Sequence, residues 1–337
     1  MYWYENDAAP FSPVLSTRVR FARNLEGVPF PRRLTKEGKE KVWEEAAQAY
    51  EGLCPVKVPF ASLSPLEKRT YVDTRLASAD LLSEDRGAGL LLSRDGEVAI
   101  MVNEEDHLRI QAIESGDNLK RAKEAAVKAA KYGEERLAFA FREKLGYLTS
   151  CPTNLGAACR ISVMIHLPAL HALSAMPGLI QRLNNAGFTV RGAFGEGSRA
   201  GGGIYQISNQ MSRDKDVEAI ALAFEEMLSQ VRERESAARE KILSRQKTKI
   251  EDRICRAVGV LLHARKMDYG EFCELFSLVR FGKALGLDEA RDLTLPDRLL
   301  IQLAPAPMAL SDASLQDADA RDLARSERIR EENKKKE

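Results

Sequence analysis

Apolar positions along the chain recur with two different periods, and the period changes near residue 210. Val217, Ile220, Ala221, Phe224, Met227, Leu228 and Val231 fall three or four apart, which predicts a long amphipathic helix. Upstream, the runs are short and extended. GLLLSRDGEVAIMVN (89–103) places two apolar stretches around Asp95-Gly96 and predicts a hairpin. CRISVMIHL (159–167) holds no Gly or Pro, and its β-branched content favours a strand. GFTVRGAF (187–194) and GGIYQISNQ (202–210) predict two more strands around a Gly-rich turn. Residues 1–35 read as loop and short strand. Thr35 then caps a helix running to about Tyr50. Asp117 is expected to cap a helix continuing to about Lys144, with Leu119, Ala122, Ala126, Ala129, Leu137, Phe141 and Leu145 near helical spacing.

Strands before about Gln210 and helices after it imply an α+β fold rather than alternating βαβ units. Residues 232–252 (RERESAAREKILSRQKTKIED) are highly charged. They read as a long solvated helix or as a connector into an all-α second domain, which puts the domains at 1–250 and 251–337. The end, RSERIREENKKKE, reads as a frayed charged helix or a disordered tail.

Composition then removes some function classes. Net charge is +1, from 51 basic and 50 acidic residues, so an anion site must come from local clustering. Few aromatics flank the arginines, which disfavours direct nucleic-acid binding. No apolar run reaches the roughly 20 residues that span a bilayer. The first residues lack the pattern of a secretory signal. The five cysteines (54, 151, 159, 255, 273) and four histidines (107, 166, 171, 263) show no metal-binding spacing, and free thiols suit a cytoplasmic protein.

Three segments carry candidate chemistry. In Ser16-Thr17-Arg18-Val19-Arg20 an extended chain points Arg18 and Arg20 to one side. The pair is either an ordinary charged surface or a phosphate clamp, since guanidinium matches phosphate oxygens in bidentate geometry. Asn103-Glu104-Glu105-Asp106-His107-Leu108-Arg109 follows an apolar strand. It is a solvated acidic loop or a functional one, but its contiguous acids without a glycine do not fit a hard-cation loop. Residues 190–203 are Gly-rich but match neither a Walker A nor a dinucleotide loop, so they are a tight turn or a mobile loop closing over a ligand.

Taken together, Arg18, Arg20, Arg109, Arg160 and Arg191 all sit beside short apolar strands. Glu105 and Glu196 lie in loops near two of them, and Cys151 near a third. Fixed cations with nearby carboxylates suit phosphoryl transfer to a basic acceptor. A guanidinium acceptor needs a proton removed as it attacks, and two carboxylates can orient its planar fork and take that proton. A thiolate at Cys151 would add negative charge beside it.

STRVR, NEEDHLRI, SCPTNLGAACRISV and VRGAFGEG, in this order, resemble the guanidino (phosphagen) kinase superfamily. FARNLEGVPFP, GYLTSCPTN and IYQISNQ resemble its bacterial protein-arginine kinases of the McsB type. The resemblance spans nearly the whole chain. It implies an antiparallel sheet flanked by helices, and an ATP-dependent kinase acting on arginine side chains of proteins, in regulated degradation or stress response. It implies Mg²⁺ held through phosphates and water, with no protein metal ligand. It assigns nucleotide binding to Ser16, Arg18, Arg20, Arg75, Arg109, Arg160 and Arg191, and catalysis to Glu105, Glu196 and Cys151. A small-molecule guanidino kinase and a catalytically silent phosphoarginine-binding adaptor are the alternatives. Arg18 stands too near the start of the sequence to leave room for the helical domain that encloses a free amino acid in small-molecule relatives, so an open acceptor site is expected.

Residues from about 250 resemble a helical domain for dimerisation and phosphoarginine binding, with Arg321, Asp322 and Arg325 in an Arg-Asp-x-x-Arg motif. Implied partners are arginine-bearing proteins, a second copy, an activator protein and a protease-linked unfoldase. Three positions depart from the pattern. Ser326 stands for the usual Ala, Arg75 for a histidine, and Ala157-Ala158-Cys159 for Gly-Thr-Gly, where Cys159 is expected to pack as a small apolar side chain.

Overall fold

A computed structural model describes residues 3–5, 12–192, 201–212 and 216–334. They fold as two compact units. The first is built mainly from Ser16–Val163 and Ser208–Phe224, the second from Met164–Ile207 and Glu225 onward.

The first unit opens with β1 (Val14–Arg23), where buried Val19 and Phe21 alternate with partly buried Arg18 and Arg20. α1 (Lys36–Ala49) begins where the sequence signal puts it, with the Thr35 hydroxyl accepting from the Gly38 N–H at 3.1 Å. β2 (Val56–Pro59) leads to α2 (Pro65–Asp73), opened by a Ser64–Glu67 capping box. β3 (Gly89–Leu92) and β4 (Val98–Val102) form the expected antiparallel hairpin around Asp95-Gly96, and both are wholly buried. Next come β5 (Leu108–Ser115) and α3 (Leu119–Glu134).

α3 starts after Asn118 and ends at Glu134, short of the expected Lys144. The apolar residues beyond it mimic helical spacing but belong to a small hairpin, β6 (Phe141–Arg142) and β7 (Gly146–Tyr147). Gly146 has φ +72°, and a Cβ there would lie 2.3 Å from the Gly156 carbonyl. That close pairing, with Tyr147 N–H donating to Gly156 O at 2.9 Å, decides against a helix.

β8 (Cys159–His166) completes this part of the sheet, whose strand order is β2-β3-β4-β5-β1-β8. Register places Arg18 opposite Ile113, Arg20 opposite Gln111 and Ala22 opposite Arg109. Directly opposed residues share a face. One face therefore carries Arg18, Arg20, Gln111 and Arg109. The other is covered by α3, whose Val127, Ala130 and Glu134 line a cleft of about 500 Å³ with Phe21, Arg23 and Tyr147. Cys159 is buried as expected, and burial pushes its thiol up to about 12.

The second unit contains α4 (Pro168–Ala172), α5 (Met176–Asn185), β9 (Phe188–Gly192) and most of β10 (Ile204–Asn209). α6 (Val217–His263) begins in the first unit and continues through the charged stretch, with a kink at Gln246. That stretch is not wholly solvated: Glu235, Ala238, Ile242 and Ile250 are buried. The rest is helical: α7 (Tyr269–Leu285), α8 (Asp288–Asp292), α9 (Leu299–Gln302), α10 (Pro305–Ser311) and α11 (Ala318–Lys334). Asp268 caps the start of α7, and Gly286, at φ +80°, ends it. The charged end of the chain is a packed helix, with Arg325, Ser326 and Ile329 buried.

Candidate active site

Strand alternation builds the site. On β1 the residues Ser16, Arg18 and Arg20 share a face, and Ser16 is buried. Arg18 Nε donates to Ser162 Oγ at 3.3 Å, so Ser162 of β8 shares that face, and Arg160, two residues before it, shares it too. Arg160 Nη2 donates to Ser208 Oγ at 2.8 Å. Arg109 joins from β5. Arg75, just past α2, sits close enough to act on Arg18.

Five guanidiniums thus converge on this face. Burial, and then the charges of Arg75, Arg160 and Arg109, pull Arg18 down to about 9. Burial with Arg18, Arg109 and Arg160 takes Arg20 well below the ordinary arginine value. Glu104 is the acid that opposes both shifts. An arginine in a protein keeps its proton, so these shifts express the cost of burial first and, after it, repulsion held in the fold. A polyanion entering this face would relieve it.

The acidic loop adjoins the cations. Arg109 Nη1 donates to Glu104 Oε1 at 2.7 Å and Nη2 to Glu105 Oε2 at 2.9 Å. The Glu104 side chain is fully buried and also accepts from Ser78 Oγ. Burial pushes the Glu105 carboxyl above its ordinary range. Arg109 opposes that shift, and the charges of Asp106 and Glu104 add to it.

Cys151 is held near Glu105 through its neighbour. Ser150 N–H donates to Asp106 Oδ1 at 2.7 Å, and Ser150 Oγ donates to Glu105 O at 2.7 Å. Cys151 itself is half-buried, with Sγ 3.0 Å from Thr153 Oγ1. Buried His107 accepts at Nδ1 from Leu25 N–H (3.0 Å), so its proton sits on Nε2, 2.8 Å from Pro29 O. That pins the chain after β1 to the acidic loop. Among the described residues, no group of three or more His, Cys, Asp and Glu is placed to hold a metal.

The remaining sequence candidates stand apart from this description. Arg191 lies exposed on β9 in the second unit. Glu196 falls outside the described residues. On α11, Arg325 is buried, donating to Leu303 O (3.0 Å), Met267 O (2.7 Å) and Asp322 Oδ1 (2.7 Å). Ser326 Oγ donates to Arg265 O at 2.6 Å, and Arg321 Nη1 to Leu315 O and Gln316 O at 3.0 and 2.6 Å.

Comparison with known proteins agrees with the motifs. Residues 39–238 match the family model of the ATP:guanido phosphotransferase C-terminal catalytic domain. Residues 247–337 match that of the protein-arginine kinase McsB C-terminal domain. The protein-arginine kinase of Pelotomaculum thermopropionicum is 40% identical over 314 residues, covering 90% of this chain and 88% of its own. The chain belongs to the protein-arginine kinase family of guanido phosphotransferases. Another member, from Caldanaerobacter subterraneus subsp. tengcongensis, is 38% identical over the full length of both chains. The fold resembles the crystal structure of lombricine kinase, with a TM-score of 0.61 and 22% identity over 68% of each chain.

For a member of this family, two residues on the cationic face escaped motif reading. Glu104 was passed over for its neighbour Glu105, although it is the deeper of the two acids. Gln111 was passed over inside an apolar strand. Its signal was the single amide in LRIQAI (108–113), where every neighbour but Arg109 is apolar.

Proposed function

We propose that this chain transfers the γ-phosphoryl group of ATP to arginine side chains of proteins. The observation that carries the reading is the convergence of Arg18, Arg20, Arg75, Arg109 and Arg160 beside Glu104 and Glu105. The cationic face suits a triphosphate, and Ser16 and Arg191 complete the set of nucleotide-binding residues in this reading. Mg²⁺ held by the phosphates and water would neutralise charge on the transferring group, with no protein ligand required. Glu105 and Glu196 orient the acceptor guanidinium, Glu105 takes the proton shed as nitrogen attacks phosphorus, and Cys151, next to the Ser150 that bonds Glu105, completes the acceptor end. The kinship with protein-arginine kinases supports polypeptide-borne arginine as the acceptor.

In this reading the catalytic domain spans residues 1–250. Residues 251–337 form a helical domain that supports a homodimer and binds phosphoarginine through Arg321, Asp322 and Arg325. An activator protein and a protease-linked unfoldase complete the set of partners, in a stress or degradation role. No described helix is long and apolar enough to cross a membrane. The free thiols of Cys54, Cys151, Cys159, Cys255 and Cys273 suit the cytoplasm.

The test incubates the chain with Mg-ATP and an arginine-rich protein, then maps acid-labile N-phosphates by mass spectrometry. Phosphoarginine on the protein, lost in Glu105→Gln, supports the proposal. Phosphorylation of free arginine alone, or no phosphoarginine at all, refutes it.

A further inference from the structure

α2 ends in a way that glycine would serve better. The Arg75 N–H donates to Val72 O, and the Leu76 N–H to Tyr71 O, both at 2.9 Å. This is a Schellman ending with Arg75 at the left-handed position, φ 65°. Helices place glycine there because a side chain at positive φ is strained. The chain keeps a long cationic side chain instead, and that side chain is the foremost charge acting on Arg18. Strain retained at one residue, whose side chain joins a cluster of like charges, marks a position kept for what the side chain does.

A second observation concerns what holds Arg75. Gln111 sits mid-strand in β5, fully buried, opposite Arg20 on one side and Ala99 on the other. Its Nε2 donates to Arg75 O and to Leu76 O, each at 3.1 Å. Both amide hydrogens are therefore spent on the two carbonyls that flank the strained turn. Three residues on, Ser78 Oγ donates to Glu104 Oε1, the oxygen that also receives Arg109. The segment after α2 is thus tied to the cationic face at two points. The Gln111 tie is the one at Arg75 itself.

We propose that Gln111 is a positioning residue that fixes the left-handed turn at Arg75, and so aims the Arg75 guanidinium at the bound nucleotide. This rests on reading the cationic face as the nucleotide site. It adds that nucleotide affinity is set in part by an amide that never touches the nucleotide. Leucine at 111 would fill the same volume, leave two buried carbonyls without a donor and free the turn to relax.

Equilibrium binding of the fluorescent nucleotide mant-ATP, which needs no arginine acceptor, reads the effect. Gln111→Leu should weaken binding about ten-fold, the effect expected when the turn that aims Arg75 is freed. In steady-state assays the KM for ATP should rise by the same factor, with kcat changed less than about two-fold. In an Arg75→Ala background, Gln111→Leu should add nothing further, because the two act as a unit. Arg75→Gly supplies an independent arm. It should weaken mant-ATP binding while raising the melting temperature, since glycine relieves the strain.

Unchanged binding in Gln111→Leu would overturn the positioning role alone. So would full additivity of the two losses, or a lower melting temperature in Arg75→Gly. Failure of the wild-type chain to bind mant-ATP would overturn the nucleotide site and this inference with it.

Discussion

Two groups of buried or partly buried arginines, one in each unit, are handled in opposite ways. On α11, Arg325 is held by two backbone carbonyls and by the Asp322 carboxylate, so its charge is settled inside the fold. On β1, Arg20 has no hydrogen bond from its guanidinium among the described residues, and its main neighbours are other guanidiniums. Burying a charge is tolerable when partners replace water and costly when they do not. Arg325 is therefore anchored by the fold before any ligand arrives. The β1 arginines are a standing repulsion, and folds keep such arrangements where a ligand of opposite charge repays them.

The sharpest way to break this contrast is to remove one cation from each region. Arg20→Gln should lower kcat/KM by on the order of 10²–10³-fold, the usual effect of deleting one preorganised charge contact. Its melting temperature should rise, because a repulsive charge is gone. Arg325→Met should do the reverse. It orphans two buried carbonyls and Asp322, which costs about 3 kcal/mol of stability. Denaturant unfolding should show that loss while the KM for ATP stays at its wild-type value.

A smaller effect sharpens the picture on the acidic side. The Glu105 carboxyl is pushed up in the folded chain, so its ionisation opposes folding. The penalty is in full force above its folded pKa and vanishes below the unfolded value of about 4.5. Glu105→Gln should therefore raise the melting temperature at pH 7–8 and leave it unchanged near pH 3.5, in a thermal-unfolding series across pH. The smallest effect belongs to an exposed arginine. Arg142 pairs with Glu26 at 3.0 Å in solvent, and Arg142→Ala should change stability by under about 1 kcal/mol in the same denaturant assay.

How far the sequence carried each region follows from how local its signals are. The hairpin at Asp95-Gly96, the cap at Thr35 and the shared face of Arg18 and Arg20 depend on neighbours in the chain, and all three were legible. The end of α3 was not. Leu137, Phe141 and Leu145 keep helical spacing, while the last two belong to a hairpin that packs on Gly156, beyond its end. Among site residues, the motifs marked Arg109 and Glu105 but not the ion pairs that join them to each other and to Glu104. Gln111 stood out only as a lone amide in an apolar strand, and its role was not legible because its partners are carbonyls from another element. Arg325 shows the converse: its motif was readable, but its commitment to Leu303 and Met267 depends on packing that spacing alone does not reveal.

The most direct measurement is thermal unfolding of the wild-type chain and of Arg18→Gln, each with and without Mg-ATP. If the β1 arginines are a repulsion held for a triphosphate, the variant alone melts higher than wild type, and nucleotide raises its melting temperature far less. A variant that melts lower on its own and still shows the full nucleotide shift would contradict that claim.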